Sequence, residues 1–275
     1  MTTSSPSIAF IGGGNMASAI IGGLLRQGWP ASAITVVEPF AAARSAAQQQ
    51  GLAVFADAPS AQAALAQAQV VVWAVKPQSF AEAAAPVAPF AAHALHLSVA
   101  AGIPTASIAR WLGTQRVVRA MPNTPALIGQ GMSGLFACPQ VDAAGRQWVE
   151  QIMAGTGRHL WVQEEAQLDA VTALSGSGPA YVFLLLEAMT QAGAAMGLTA
   201  AQSYELAVAT FQGASALAAQ SSEDVATLRQ RVTSKGGTTH AAITHMQATH
   251  IPENFIAALQ KAQQRAQELA AEFGA

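Results

Sequence analysis

The run Ile8-Ala9-Phe10-Ile11, followed at once by Gly12-Gly13-Gly14-Asn15-Met16-Ala17, constrains this chain more than any other segment. A short apolar run bounded by glycines reads as a buried strand. The six residues after it fit the pattern Gly-x-Gly-x-x-Ala. In such a turn Gly12 permits the tight bend, Gly14 lets backbone approach a pyrophosphate, and Ala17 allows close helix–strand packing. Asn15 precedes the helix expected to open at Met16, whose N-terminus offers amide donors and partial positive charge to phosphates. A glycine pattern alone is a weak signal. Set between a strand and a helix at the start of a βαβ unit, it points to dinucleotide binding. The competing reading is a glycine turn that serves packing only.

The pattern continues. Strands are expected at Ile34–Glu38, Val70–Val75, Leu95–Val99 and Val117–Ala120, with a weaker one at Leu52–Phe55 and a last one near Gly157–Val162. Helices are expected at Met16–Gln27, Ala41–Gln50, Ser60–Gln67, Ser79–Phe90 and Thr105–Leu112. Alternation of this kind implies an α/β fold with a doubly wound parallel sheet. The run Val70 to Val75 has no polar alternation, as befits a central strand covered on both faces. Glu38 ends the second strand, about 20–25 residues beyond the glycines, where an acidic residue commonly takes the ribose hydroxyls. A carboxylate there favours NAD(H) over NADP(H), and Arg44 in the next helix offsets that repulsion, so both cofactors stay open.

Beyond residue 163 the pattern changes to almost continuous helix, with joints at Ser175–Pro179, Ser234–Gly237 and Ile251–Pro252. Two domains are expected: residues 1–163, dinucleotide-binding, and residues 164–275, all-helical. The 275 residues suffice for two cores without a staple. Charged residues are only 10% of the chain, against about 25% in an average soluble protein. That leaves apolar surface for another subunit to cover. Thirteen basic against fifteen acidic residues exclude a strongly basic nucleic-acid binder. The densest apolar runs end at Lys76 and Glu187, short of the roughly 20 residues of a spanning helix, so no membrane partner is expected. Cys138 is the sole cysteine, and no basic n-region precedes Ile8; a cytoplasmic chain is expected.

Three further segments hold candidate binding residues. Ala74-Val75-Lys76-Pro77 leaves the C-terminal end of a central strand, where ligands of such sheets bind. Asn123 and Thr124 lie between Pro122 and Pro125, in a stiff loop whose amide and hydroxyl suit a nicotinamide carboxamide. Ser234-Lys235-Gly236-Gly237-Thr238-Thr239 precedes a helix expected to start near His240, and its free amides and hydroxyls suit a carboxylate. The segment Ser175–Tyr181 fits a close helix crossing as well as a ligand contact. His240, His245 and His250 recur every five residues, about 140° apart on a helix, so no metal site is expected.

Together these motifs resemble the 1-pyrroline-5-carboxylate reductase family. The matching residues are Phe10–Ala19, Ala74–Gln78, Ser98–Gly102, Met121–Ala126, Leu174–Tyr181 and Val232–Thr239, which span nearly the whole chain in the family's order. Lys235 departs from the pattern, standing where the family usually has proline. The resemblance implies an N-terminal Rossmann domain and an all-helical C-terminal dimerisation domain. It also implies a homodimer, with larger rings such as decamers, and a substrate site between the nicotinamide and the Ser234–Thr239 turn. The implied reaction is reduction of pyrroline-5-carboxylate to L-proline with NADP(H) or NAD(H). In that role Thr239 bonds the ring nitrogen, Ser234, Gly237 and Thr238 hold the carboxylate, and Asn123, Thr124 and Lys76 shape the nicotinamide side.

Two rivals stand beside it. A β-hydroxyacid dehydrogenase also joins a Rossmann domain to helices, but it needs a lysine acid–base there, and the helical half holds only Lys235 and Lys261. A non-catalytic nucleotide sensor would not need the Ser234–Thr239 turn.

Overall fold

In the computed structural model the described residues run from Pro6 to Gly274. The apolar runs form the sheet. Its strands are β1 (Ile8–Ile11), β2 (Ile34–Val37), β3 (Ala53–Phe55), β4 (Val70–Trp73), β5 (Leu95–Ser98), β6 (Val117–Met121), β7 (Gly131–Ala137) and β8 (Gly157–Trp161). They pair in the order β3-β2-β1-β4-β5-β6-β7-β8. Helices α1 (Asn15–Arg26), α2 (Ala41–Gln49), α3 (Gln62–Gln67), α4 (Phe80–Ala91), α5 (Thr105–Leu112) and α6 (Ala143–Ala154) follow the strands.

Successive strand residues point to opposite faces, so one strand feeds two cores. On β1, Ile8 and Phe10 join a core with Ile20 and Leu24 of α1 and Ile152 of α6. Ala9 and Ile11 join the other, with Phe80 of α4 and Ile108 of α5. All four residues of β4 are buried, as the unalternating apolar run requires.

The sheet is not wholly parallel. β6 and β7 are antiparallel, whereas β7 and β8 are parallel. Residues 122–130 hold only a short turn, Thr124–Ile128, and so cannot make the long crossover a parallel pair needs. β7 and α6 have no counterpart among the expected elements. Gly131 and Gly134 give β7 the composition of a turn, yet a Cβ at Gly134 would meet Val171 Cγ1 at 2.8 Å. The glycine marks a close approach within a strand. α6 carries a local cap instead: Asp142 Oδ1 accepts the Gly145 amide at 2.7 Å.

The chain divides into two compact units. The sheet-bearing unit runs to Ser177 and resumes at Ala262, so it extends past the expected boundary at 163. It includes α7 (Gln167–Val171) and a π turn at Thr172–Gly176. Leu168 of α7 is fully buried. Helix α12 (Ile251–Phe273) ends in this unit, where Phe273 packs on the second core and Ser107 Oγ donates to the Gly274 carbonyl at 2.5 Å.

The other unit, Gly178–Lys261, holds α8 (Gly178–Ala195), α9 (Ala200–Gln220), α10 (Val225–Arg231), α11 (Thr238–Ala248) and the first part of α12. Thr199 and Gln202 form a capping box that starts α9, a break absent from the expected joints. Ile251 and Pro252 open α12, and proline is tolerated in a first turn. Buried side chains are few here, and Phe183 and Leu184 are 59% and 65% exposed. Residues 167–195 form one 29-residue helical stretch with a mean hydropathy of 1.2 over its most apolar window, so by length and composition alone it reaches membrane-spanning size. The shorter apolar runs do not anticipate this, because the stretch is built by joining α7, the π turn and α8.

Candidate active site

The glycine turn fits a dinucleotide phosphate. Gly12 has φ +96°, and its amide donates to the Val37 carbonyl at 2.9 Å. A Cβ there would meet the Ala74 carbonyl oxygen at 2.6 Å, so the position admits glycine alone. Gly14 caps α1 with no side-chain cap, and nothing lies within 4 Å of where its Cβ would be. The first helical bond runs from Ser18 N to the Gly14 carbonyl at 2.9 Å. The amides of Asn15, Met16 and Ala17 therefore precede the helical ladder and stand at its positive end. Ala17 is fully buried in the first core.

Beside the turn, the Ala74 amide donates to the Ile11 carbonyl at 2.9 Å, bringing the end of β4 next to Gly12. Ala74, Val75 and Pro77 are half-buried and Lys76 is exposed, in extended backbone that leads into the turn Pro77–Ser79.

Glu38 is not a solvated strand end. It is 5% exposed. Its Oε2 accepts the Gly13 amide and its Oε1 the Phe40 amide, both at 2.7 Å. Arg44 Nη1 donates to the main-chain carbonyls of Glu38 and Pro39, at 3.0 and 2.6 Å.

The proline-bounded loop splits its two polar residues. Asn123 Nδ2 donates to the Ser175 carbonyl and hydroxyl, both at 3.2 Å, and Asn123 Oδ1 accepts the Met132 amide at 2.9 Å. Its side chain is thus engaged in joining three segments of the sheet-bearing unit. Thr124 is exposed and opens the turn that follows.

In the helical unit, Gly237 caps α11, which begins at Thr238, two residues before the expected start. Gly236 has φ +78°, and the Gly237 amide donates to the Ser234 carbonyl at 3.0 Å. Ala241 N makes the first helical bond, to the Gly237 carbonyl at 3.1 Å. The amides of Thr238, Thr239 and His240 lie ahead of that bond. Ser234, Lys235 and Thr238 are exposed and Thr239 is half-buried.

A charged cluster around the buried Arg119 has no role in the sequence reading. Arg119 Nη1 donates to Glu165 Oε1 at 2.5 Å. The same carboxylate accepts the Thr105 amide at 2.7 Å and the Thr105 hydroxyl at 2.5 Å. Burial raises the Asp169 carboxyl above its ordinary value, with Arg119 opposing and Glu165 reinforcing. The signal for this cluster was a lone arginine inside the apolar run Val117–Met121. Among the described residues no group of three or more His, Cys, Asp or Glu is placed to hold a metal ion.

Two family models match this chain. Residues 165–269 match pyrroline-5-carboxylate reductase dimerisation, and residues 7–102 match NADP oxidoreductase coenzyme F420-dependent. The chain is similar to a pyrroline-5-carboxylate reductase of Pseudomonas aeruginosa, 48% identical over 98% of this chain and 99% of the relative. It is 41% identical to one of Haemophilus influenzae over 95% of this chain and 97% of that one. A solved pyrroline-5-carboxylate reductase of Coxiella burnetii superposes with a TM-score of 0.90 at 38% identity, covering 97% and 99% of the two chains.

Proposed function

This chain belongs to the pyrroline-5-carboxylate reductase family, and from that premise we propose how its residues carry the reaction. The enzyme reduces 1-pyrroline-5-carboxylate to L-proline with NAD(P)H. A nicotinamide held by the enzyme would supply the hydride that the ring carbon of the C=N bond takes up. The observation that carries the assignment of roles is the pair of helix starts with free amides, one at Gly14 and one at Gly237.

Gly12, Gly14, Asn15, Met16 and Ala17 hold the pyrophosphate, and Glu38 faces the ribose. Ala74, Val75, Lys76, Pro77 and Thr124 shape the nicotinamide end, and Asn123 acts as a positioning residue through its bonds to Met132 and Ser175. Ser234 and the amides of Gly237 and Thr238 take the substrate carboxylate, because a helix N-terminus favours an anion. Thr239 Oγ1 bonds the ring nitrogen. A cyclic imine protonated on nitrogen already accepts hydride well, so orientation serves better than a strong acid. This accounts for the lack of a His–Asp or Lys–Asp pair at either turn. Neither lysine of the helical half is needed as an acid–base, which disfavours the hydroxyacid reading.

By role we assign residues 164–275 to dimerisation and substrate binding and residues 1–163 to the dinucleotide, although 164–177 and 262–274 pack within the sheet-bearing unit. The exposed leucines and Phe183 of α8 meet a second copy of the chain, and larger rings such as decamers grow from that dimer. A protein interface, not lipid, covers the 29-residue apolar stretch, and the enzyme works in the cytoplasm without nucleic acid.

Thr239→Val tests the role of the hydroxyl. Loss of a bond made mainly in the transition state lowers kcat more than it changes KM. Unchanged kcat and kcat/KM would remove Thr239 from the mechanism.

A further inference from the structure

We propose that Glu38 is a fixed selector at the ribose end of the glycine turn, making the chain prefer NADH over NADPH. The proposal rests on the reading that this turn binds a dinucleotide, and adds which one.

The Glu38 carboxylate is held from both sides. Oε2 accepts the Gly13 amide and Oε1 the Phe40 amide, both at 2.7 Å. Its own amide donates to the Phe55 carbonyl at 2.9 Å, so the backbone that carries it is fixed to β3. The side chain also packs on Gly13, where a Cβ would lie 3.3 Å from Glu38 Cγ. At 5% exposure the residue has little room to turn away.

Each carboxylate oxygen keeps a further acceptor site after one N–H bond. Ribose hydroxyls can therefore donate to Glu38 while both backbone bonds persist. A 2′-phosphate offers no such donor, since it carries roughly −1.5 to −2 charges at neutral pH. To avoid it, Glu38 would have to give up two charge-assisted bonds and release Gly13 in the middle of the phosphate turn.

Arg44 is the nearby cation that would favour a 2′-phosphate. Its Nη1 is already bound to the carbonyls of Glu38 and Pro39, which holds the guanidinium against the main chain. The pinned anion therefore outweighs it.

The test is calorimetric titration of the full chain with NADH and with NADPH, beside adenosine 5′-monophosphate and adenosine 2′,5′-bisphosphate. NADH should bind at least roughly tenfold more tightly than NADPH, and the monophosphate more tightly than the bisphosphate. Equal or tighter binding of the 2′-phosphorylated member of each pair overturns the proposal and leaves dinucleotide binding intact. Binding of none of the four overturns the dinucleotide reading as well. Glu38→Gln should narrow the ratio; an unchanged ratio removes Glu38 as its cause. Arg44→Ala keeps the carboxylate and should keep the preference. Loss of the preference in that folded variant would overturn the assignment to Glu38.

Discussion

Arg119 and Glu165 form a 2.5 Å ion pair that joins strand β6 to the start of the family's dimerisation segment. The arginine side chain is 8% exposed and the glutamate 25%, and Thr105 contributes two further bonds to the same carboxylate. Removing one partner strands the other charge in a poorly solvated place. Glu165→Ala should therefore cost about 2–3 kcal/mol in urea unfolding. A change below about 0.5 kcal/mol, the ordinary range for surface positions, would show that the pair is solvated.

Trp73 Nε1 donates to His96 Nδ1 at 3.0 Å, and His96 Nε2 stands 3.0 Å from the Ala91 carbonyl. The first bond needs an unprotonated Nδ1, so the ring is neutral with its proton on Nε2. Burial pushes this imidazole down from 6.5 to about 4, while the Ala91 carbonyl opposes the shift. A folded value below the unfolded one means that stability is complete above about pH 6.5 and falls as pH drops toward 4. Between pH 7 and pH 5 the expected loss from this residue is about 2 kcal/mol. His96→Gln lacks the titration, so it should lose correspondingly less over the same interval. Parallel losses in the two proteins would assign the effect to other groups.

Gly12 and Gly14 separate folding from binding. Gly12→Ala forces a Cβ against the Ala74 carbonyl at a positive φ and should lower the melting temperature and abolish binding. Gly14→Ala meets open space at φ −72° and should stay within about 1 kcal/mol of the parent in stability. If the pyrophosphate approaches Gly14 as proposed, the added methyl should still lower dinucleotide affinity at least roughly tenfold. Full affinity in Gly14→Ala would place the phosphates elsewhere.

Ser234 and Thr239 should differ in kinetic signature. If Ser234 holds the carboxylate as proposed, Ser234→Ala should raise KM and weaken inhibition by L-proline analogues, with kcat little changed. Undiminished inhibition would take the carboxylate away from this turn.

Much of this was legible in the sequence because local rules and the fold agreed. Ile8–Ile11 and Leu95–Ser98 pair where their apolar runs put them, and the Gly12–Ala17 turn has the backbone its glycines imply. β7 was hidden because its glycines answer to Val171 and Thr156, residues far away in the chain. The chemistry of Asn123 was half visible. The two prolines announced a stiff loop, but only the folded chain brings Met132 and Ser175 to its amide. Glu38 has the same character: its position reads from the strand end, but its two backbone partners depend on how β2 meets the glycine turn. The sheet-bearing unit reaches past 163 because Leu168 is buried and the partly buried Val171 and Phe273 pack on the sheet side, which helical periodicity alone does not reveal.

The most direct test of the central claim is steady-state oxidation of NADH and NADPH by the purified chain with 1-pyrroline-5-carboxylate. The account predicts turnover to L-proline, with the higher kcat/KM for NADH. A folded protein that binds dinucleotide but reduces no pyrroline-5-carboxylate with either cofactor would contradict it.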